Sequence, residues 1–227
     1  MGHQSNNSLQ VGTITALAVQ RHQPTRVSVF LDGAFAFGIA QEIVREWGLR
    51  VGHRLSVADQ ERLGVAEQLL AAQTTALRYL GARPRTAHEV RQKLLRGGVD
   101  ASVVDQVMAR LHARGVLDDA AYTHAYLTSR LANRGYGPQR LRRDLQQRGI
   151  GRALVEATVQ QALTVEEVLA AARAQATKRW PRFARETDLA RRRQKLWAFL
   201  CRRGFPCTIV QQVCREVAEE TTAAESV

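Results

Sequence analysis

Cysteine, lysine and aromatic residues are all scarce in this 227-residue chain, and long apolar runs are missing altogether. The three cysteines, Cys201, Cys207 and Cys214, are an odd number without a Cys-x-x-Cys spacing. They outline neither a disulfide framework nor a zinc site, and Cys214 reads as core packing on its helix. Aromatics make up 6% of the residues, too few for a platform that stacks single-stranded bases. No stretch approaches the ~18 apolar residues that span a bilayer, and no charged-then-apolar leader opens the chain. A cytoplasmic location is the expectation. Gly-x-Ser-x-Gly, a phosphate-binding loop ending in Lys-Ser/Thr, and His-Glu-x-x-His are absent. His22, His53, His88, His112 and His124 are scattered, with no metal-ligand spacing on one helix. The expectation is therefore a chain without catalytic residues, metal or cofactor.

What the chain does have is arginine. Of 33 basic residues 30 are Arg, against 21 acidic ones, for a net charge of +12. The excess is localised. Residues 1–82 are nearly neutral at +1, whereas 83–152 carry +8 and 173–203 carry +9; 153–172 and 204–227 are each at −3. Such stripes suit a nucleic acid or another polyanionic partner. A general bias toward arginine would not leave the first third neutral.

One pattern occurs three times. Val90, Leu94, Gly98, Val99, Val103 and Val104 are matched by Leu141, Leu145, Gly149, Ile150, Leu154 and Val155. They are matched again by Leu196, Leu200, Gly204, Phe205, Ile209 and Val210. The copies start 51 and 55 residues apart. Self-similarity at that period implies a repeat array in which neighbouring units bury each other's apolar faces.

Local signals fill in the elements. Residues 1–10 are polar and expected to be loose. Thr13–Gln20 and Val27–Leu31 read as strands, Asp32-Gly33 as a primed hairpin turn, and Ala34–Ile39 as the return strand. A short helix over Glu42–Trp47 stops near Gly48. Ser56 caps a helix with apolar positions Leu63, Leu69, Leu70, Leu77 and Leu80. From there the chain reads as helical. Thr86/Glu89 and Thr164/Glu167 form capping boxes, and Asp100 and Asp118 are caps. Pro138 occupies a first helical position, and Pro181 interrupts a long helix. The fold class is mainly α: three tandem three-helix repeats in an elongated curved array after a small β-hairpin segment. The expected divisions are 1–55 for the tail, hairpin and short helix, 56–117, 118–163 and 164–227 for the repeats, the last with a loose C-terminal tail.

At 100° per residue, Arg191, Lys195 and Arg202 fall on one helix face, opposite Leu196 and Leu200. Arg140, Arg143 and Gln147 form a similar stripe opposite Leu141 and Leu145. Each glycine-hinged pair also resembles a helix-turn-helix, but the second helices begin Ala101-Ser102, Arg152-Ala153 and Cys207-Thr208. Only Arg152 offers a strong base-reading side chain. Tyr122, Tyr126, Trp180, Trp197, Phe199 and Phe205 read mainly as packing.

Together the motifs resemble the RecX regulators of the RecA recombinase. They are Arg83-x-Arg85-Thr86-x-x-Glu89-Val90, Asp118-Asp119-x-x-Tyr122-x-x-Ala125, Gly137-Pro138-x-x-Leu141-x-x-x-Leu145-x-x-x-Gly149-Ile150, and Lys195-Leu196 through Arg202-Arg203-Gly204-Phe205. Leu31-Asp32-Gly33-x-x-Ala36-Phe37 is similar to the hairpin preceding the repeats in that family. The resemblance runs over about residues 13–217 and implies a non-enzymatic protein that binds the RecA–DNA filament. It further implies reduced ATP hydrolysis, coprotease activity and strand exchange, in DNA repair and recombination control, with weaker binding to bare single- and double-stranded DNA. The candidate contact surface is Arg83, Arg85, Arg91, Arg134, Arg140, Arg143, Arg148, Arg191, Arg192, Arg193, Lys195 and Arg202. The alternatives are a helix-turn-helix transcription regulator and a non-specific DNA-coating protein. Two departures stand out. Thr158 replaces the apolar residue at the position of Val107, moving the expected core contact to Val159, and the arginine stripe is less complete in the first repeat.

Overall fold

The structure, a computed structural model, describes residues 10–225, with side chains through Glu219. Residues 1–9 of the expected loose tail lie outside the described residues. The chain divides into two compact units. The first takes the described residues up to Ala82 together with Arg91–Leu111, and the second takes Arg83–Val90 and the chain from His112 onward.

In the first unit, β1 (Gly12–Gln20), β2 (Gln23–Leu31) and β3 (Ala34–Ala40) form an antiparallel meander. Asp32 and Gly33 both have positive φ, 48° and 86°, as a primed turn demands. The turn is tied down from β1: Thr13 N–H donates to Asp32 Oδ1 at 3.0 Å, and Gly33 N–H donates to Thr15 Oγ1 at 3.0 Å. The expected β-hairpin segment is present and gains one short strand. A two-residue strand β4 (Arg54–Leu55) pairs with the start of β1, so the sheet has four strands in the order β3-β2-β1-β4. A two-residue strand has no period to read, so its pairing is set only by where the chain returns.

Helix α1 (Gln41–Glu46) ends ahead of Gly48 at φ 60°. Helix α2 (Val57–Ala82) is capped by Ser56, whose Oγ accepts from Asp59 N–H while the Asp59 carboxylate accepts from Ser56 N–H. Ile14, Val29, Ile39, Ile43, Leu49, Leu55 and Leu63 form the core between sheet and helices. Glu67 fastens α2 to the sheet, pairing with Arg26 at 2.5 Å and accepting from Ala40 N–H at 2.8 Å. The buried face of α2 runs through Leu69, Ala72 and Ala76, which leaves Leu77, one residue further round, exposed rather than packed. Helices α3 (Ala87–Arg96) and α4 (Ala101–Ala113) flank Gly98, at φ 78°.

The second unit holds α5 (Asp119–Arg134), α6 (Pro138–Gln147), α7 (Arg152–Ala162), α8 (Val165–Arg179), a 3-10 turn at Trp180–Phe183, α9 (Leu189–Arg203) and α10 (Cys207–Glu225). The repeated pattern is its framework. Leu141, Leu145, Leu196 and Leu200 are fully buried in one core with Ile150, Val155, Phe205 and Val210. At roughly 1.5–3 kcal/mol per fully buried large apolar side chain, these positions dominate the unit's stability. Gly149 and Gly204 have φ 81° and 86°, closing their helices in the left-handed conformation. Asp118 accepts from Ala121 N–H at 2.8 Å, and Thr164 with Glu167 completes a reciprocal capping box.

Three expectations change. Thr158 stays in the core beside Val159, because its hydroxyl donates to the Leu154 carbonyl at 2.8 Å and so needs no water. Trp197 is exposed, not packed. Helix α10 continues to Glu225, where a loose tail was expected.

The repeats of this unit join backbone to backbone. Gly137 N–H, opening α6, donates to the Arg203 carbonyl at 2.8 Å, and Gln139 N–H donates to the Gly204 carbonyl at 3.0 Å. One period earlier the same seam recurs: Thr86 Oγ1, opening α3, donates to the Arg148 carbonyl at 2.7 Å. Thr86 corresponds to Gly137 and Arg148 to Arg203 in the repeat. At both seams, the start of one repeat's glycine-stopped helix meets the end of the next.

Candidate anion-binding surface

The basic residues singled out by sequence fall into three settings. The first is a network around half-buried Glu89, which pairs with Arg83 at 3.1 Å and Arg148 at 3.4 Å and accepts from Thr86 N–H at 3.1 Å. Burial works against its charge, but the Thr86 N–H and the two guanidinium groups prevail and hold the carboxyl below the ordinary glutamate range. Arg148 also lies over the Tyr126 ring at 5.1 Å. Arg85 is half-buried nearby in the sequence, and Arg91 pairs with Asp105 in the first unit.

The second setting is α9. Arg191, Lys195 and Arg202 are exposed while Leu196 and Leu200 are fully buried, as the face assignment requires. Two of the three are already engaged by neighbours: Lys195 Nζ lies 2.7 Å from Glu186, and Arg191 lies 3.5 Å from Asp188. Arg192 stacks over Trp180 at 4.1 Å, and Arg193 is exposed. On α6, Arg143 is exposed, with Nε donating to the Gln139 carbonyl at 3.4 Å.

The third setting brings residues together that periodicity cannot. Arg134 at the end of α5 and Arg140 on α6 meet Lys178 and Arg179 from the end of α8, Arg182 from the 3-10 turn and Arg203 from the end of α9. They line a concavity of about 500 Å³ with no acidic side chain among the described residues of its wall. Among the described residues only Arg140 of these six has a carboxylate within 4.0 Å, that of Asp144 at 3.9 Å. The side chains are held by rings instead. Arg140 lies 3.8 Å from the Tyr136 centroid, Arg203 sits between Tyr136 and Phe199 at 5.7 and 5.2 Å, and Arg179 sits between Phe199 and Phe183 at 5.1 and 5.3 Å. Arg203 Nη1 additionally donates to the Arg134 carbonyl at 2.5 Å, closing the C-terminal end of α5. Lys178, Arg179, Arg182 and Arg203 were missing from the sequence-derived set. All four lie in the most basic segment of the chain, 173–203, and that charge density was their one legible signal.

This geometry can bind and orient anions, since stacked guanidinium groups present N–H edges to carboxylate or phosphate oxygens. Among the described residues, no group of three or more His, Cys, Asp and Glu side chains could hold a metal ion. Nor is any helix among them long and apolar enough to cross a membrane.

Comparison with known proteins divides the chain into an N-terminal domain and three three-helix domains. Residues 12–56 match the regulatory protein RecX N-terminal domain. Residues 72–111, 118–159 and 166–214 match the first, second and third three-helix domains of RecX. The chain belongs to the RecX family. It is 31% identical to the regulatory protein RecX of Leuconostoc citreum over 201 residues, covering 88% of this chain and 74% of that one. It is 39% identical to that of Deinococcus radiodurans over 153 residues, covering 67% and 71%. A crystal structure of a regulatory protein RecX superposes with a TM-score of 0.76 at 25% identity, covering 89% of this chain and 98% of the other. The RecX structure from Lactobacillus salivarius shares the fold, with a TM-score of 0.62 over 66% of this chain and 97% of that one. A RecX-family chain is a regulatory protein, and the three-helix units described above are the family's own.

Proposed function

We propose that this protein binds the RecA–DNA filament in the cytoplasm and restrains it, lowering ATP hydrolysis, coprotease activity and strand exchange without catalysis of its own. RecX family membership supports the partner. The observation that carries the mode of binding is the concavity of six cations with no acid among the described residues of its wall. A filament of DNA and protein offers phosphates and carboxylates in a groove, and an arginine-lined concavity complements both. Bound across neighbouring subunits, such a protein opposes the rearrangements that accompany ATP turnover. Bare single- and double-stranded DNA are weaker ligands in this reading, because they present only the phosphates.

The test compares binding to duplex DNA, bare single strands and recombinase-coated single strands at one salt concentration. Tighter binding to the coated strand, with slower ATP hydrolysis at near-stoichiometric protein, is the expected result. Equal affinity for bare and coated strands with unchanged hydrolysis refutes filament recognition and leaves a DNA-coating protein.

A further inference from the structure

We infer that the concavity between the ends of α5, α8 and α9 is a binding site for a run of consecutive phosphate groups. Four observations converge on it. Arg134, Arg140, Lys178, Arg179, Arg182 and Arg203 face one space of about 500 Å³, within the roughly 300–1,000 Å³ range of small-ligand sites. Five of the six have no carboxylate within 4.0 Å among the described residues, so their charge is not consumed by the protein. Arg179 Nε is buried without a hydrogen-bond partner among the described residues. A buried donor left unsatisfied is costly, so this wall is short of acceptors of its own.

The fourth observation selects the part of the ligand that is read. Tyr136 and Phe199, the aromatic residues lining the concavity, are already covered by Arg140, Arg179 and Arg203. A base therefore finds no open ring to stack on, and recognition falls to the anionic groups. Stacking fixes the guanidinium planes before the ligand arrives, which limits the side-chain ordering lost on binding. Six cations so close together suit a dense charge. Consecutive phosphates deliver several oxygens to the bidentate forks of neighbouring arginines. They can come from a free nucleoside triphosphate or from a nucleic-acid backbone threaded through the opening. The inference rests on the filament-binding reading of the same concavity and deepens it, while its calorimetric test needs no filament.

The experiment titrates full-length protein with inorganic tripolyphosphate by calorimetry, then with a deoxynucleoside triphosphate and with a short oligothymidylate in competition. Saturable binding of about one tripolyphosphate per chain is expected. Arg134→Gln combined with Arg182→Gln should weaken it at least tenfold, because both side chains are exposed and their loss spares the core. Arg110→Gln with Arg114→Gln removes the same charge from exposed positions elsewhere and should change the affinity less than twofold. Arg179→Lys keeps the charge but loses the fork and the buried Nε, and should fall between the two. An oligothymidylate that displaces tripolyphosphate identifies a phosphodiester source; displacement by the nucleotide alone identifies a free one. The inference is overturned by absent saturable binding, by equal weakening in both double variants, or by a short polyglutamate peptide binding where tripolyphosphate does not. Filament inhibition that survives in the Arg134→Gln, Arg182→Gln variant separates the two proposals: the phosphate site then stands or falls on calorimetry alone.

Discussion

Gly137 and Gly204 are in backbone contact: a β-carbon added to Gly137 would lie under 3.0 Å from the carbonyl group of Gly204. Gly137 is the residue whose N–H reaches the Arg203 carbonyl, and Gly204 closes α9 with φ 86°. The close approach is what lets the second and third repeats hydrogen-bond directly. Its equivalent one period earlier uses the Thr86 hydroxyl to reach the Arg148 carbonyl.

Gly137→Ala should therefore destabilise the protein by about 2 kcal/mol or more, since backbone atoms cannot yield to the new methyl group as a flexible side chain would. Gly64→Ala is the counterpart. Gly64 is exposed in α2 with nothing within 4 Å of an added β-carbon, so the same change should stabilise by about 0.5–1 kcal/mol. Urea denaturation of both variants checks the pair; equal effects would disprove the seam.

Gly149→Val should cost more than the ~1–2 kcal/mol expected for a non-glycine residue held at positive φ. A β-carbon there would also overlap the Cβ and ring of His88. Removing the ring with His88→Ala should recover part of the loss, whereas the contact with the remaining Cβ and the conformational strain persist. A double-mutant cycle on melting temperature measures this coupling, and strict additivity would show that His88 plays no part.

Reversing Arg191, Lys195 and Arg202 to Glu should weaken filament inhibition while the helical signal is retained, because all three project away from buried Leu196 and Leu200. The melting temperature should fall modestly. Glu186 and Asp188 lose their partners at 2.7 and 3.5 Å and face like charges instead. Reversing Arg134 and Arg182 should weaken inhibition more, since neither has an acidic neighbour among the described residues to satisfy first. ATPase assays with each variant test this order, and undiminished inhibition by both would move the contact elsewhere.

Acid sensitivity should centre partly on Glu216. Two hydrogen bonds from Arg173 at 2.8 and 2.7 Å, and one from Gln212 at 3.0 Å, lower its pKa from the ordinary 4.5 to about 2. Between these values the unfolded chain binds the proton and the folded one does not. The contribution is thus complete above about pH 4.5 and lost as pH falls toward 2. Melting curves from pH 6 to 2.5 should show the parent losing more stability on acidification than Glu216→Gln, the two converging at the acid end. Parallel curves would mean the Arg173 pair has no net effect.

The elements and their stops are legible in short stretches of sequence. Thr164 with Glu167, Thr86 with Glu89, Asp118, the Asp32-Gly33 turn and the glycines at 98, 149 and 204 all act where they were read. Each is a relation among residues a few positions apart, and a cap or a left-handed stop is satisfied within a single turn of chain. The repeat pattern likewise named the core, because helical spacing alone places Leu141, Leu145, Leu196 and Leu200 on one buried stripe each. Tertiary structure decided the rest: the pairing of β4 with β1, the burial of Thr158, the exposure of Trp197, and the meeting of six cations from α5, α6, α8, the 3-10 turn and α9. Arg134 and Arg203 are 69 residues apart and touch only because Gly137 and Gly204 let their helices dock. No period records such a distance. Which arginines are neutralised and which stay available is settled by neighbours that the fold, not the local sequence, brings within reach.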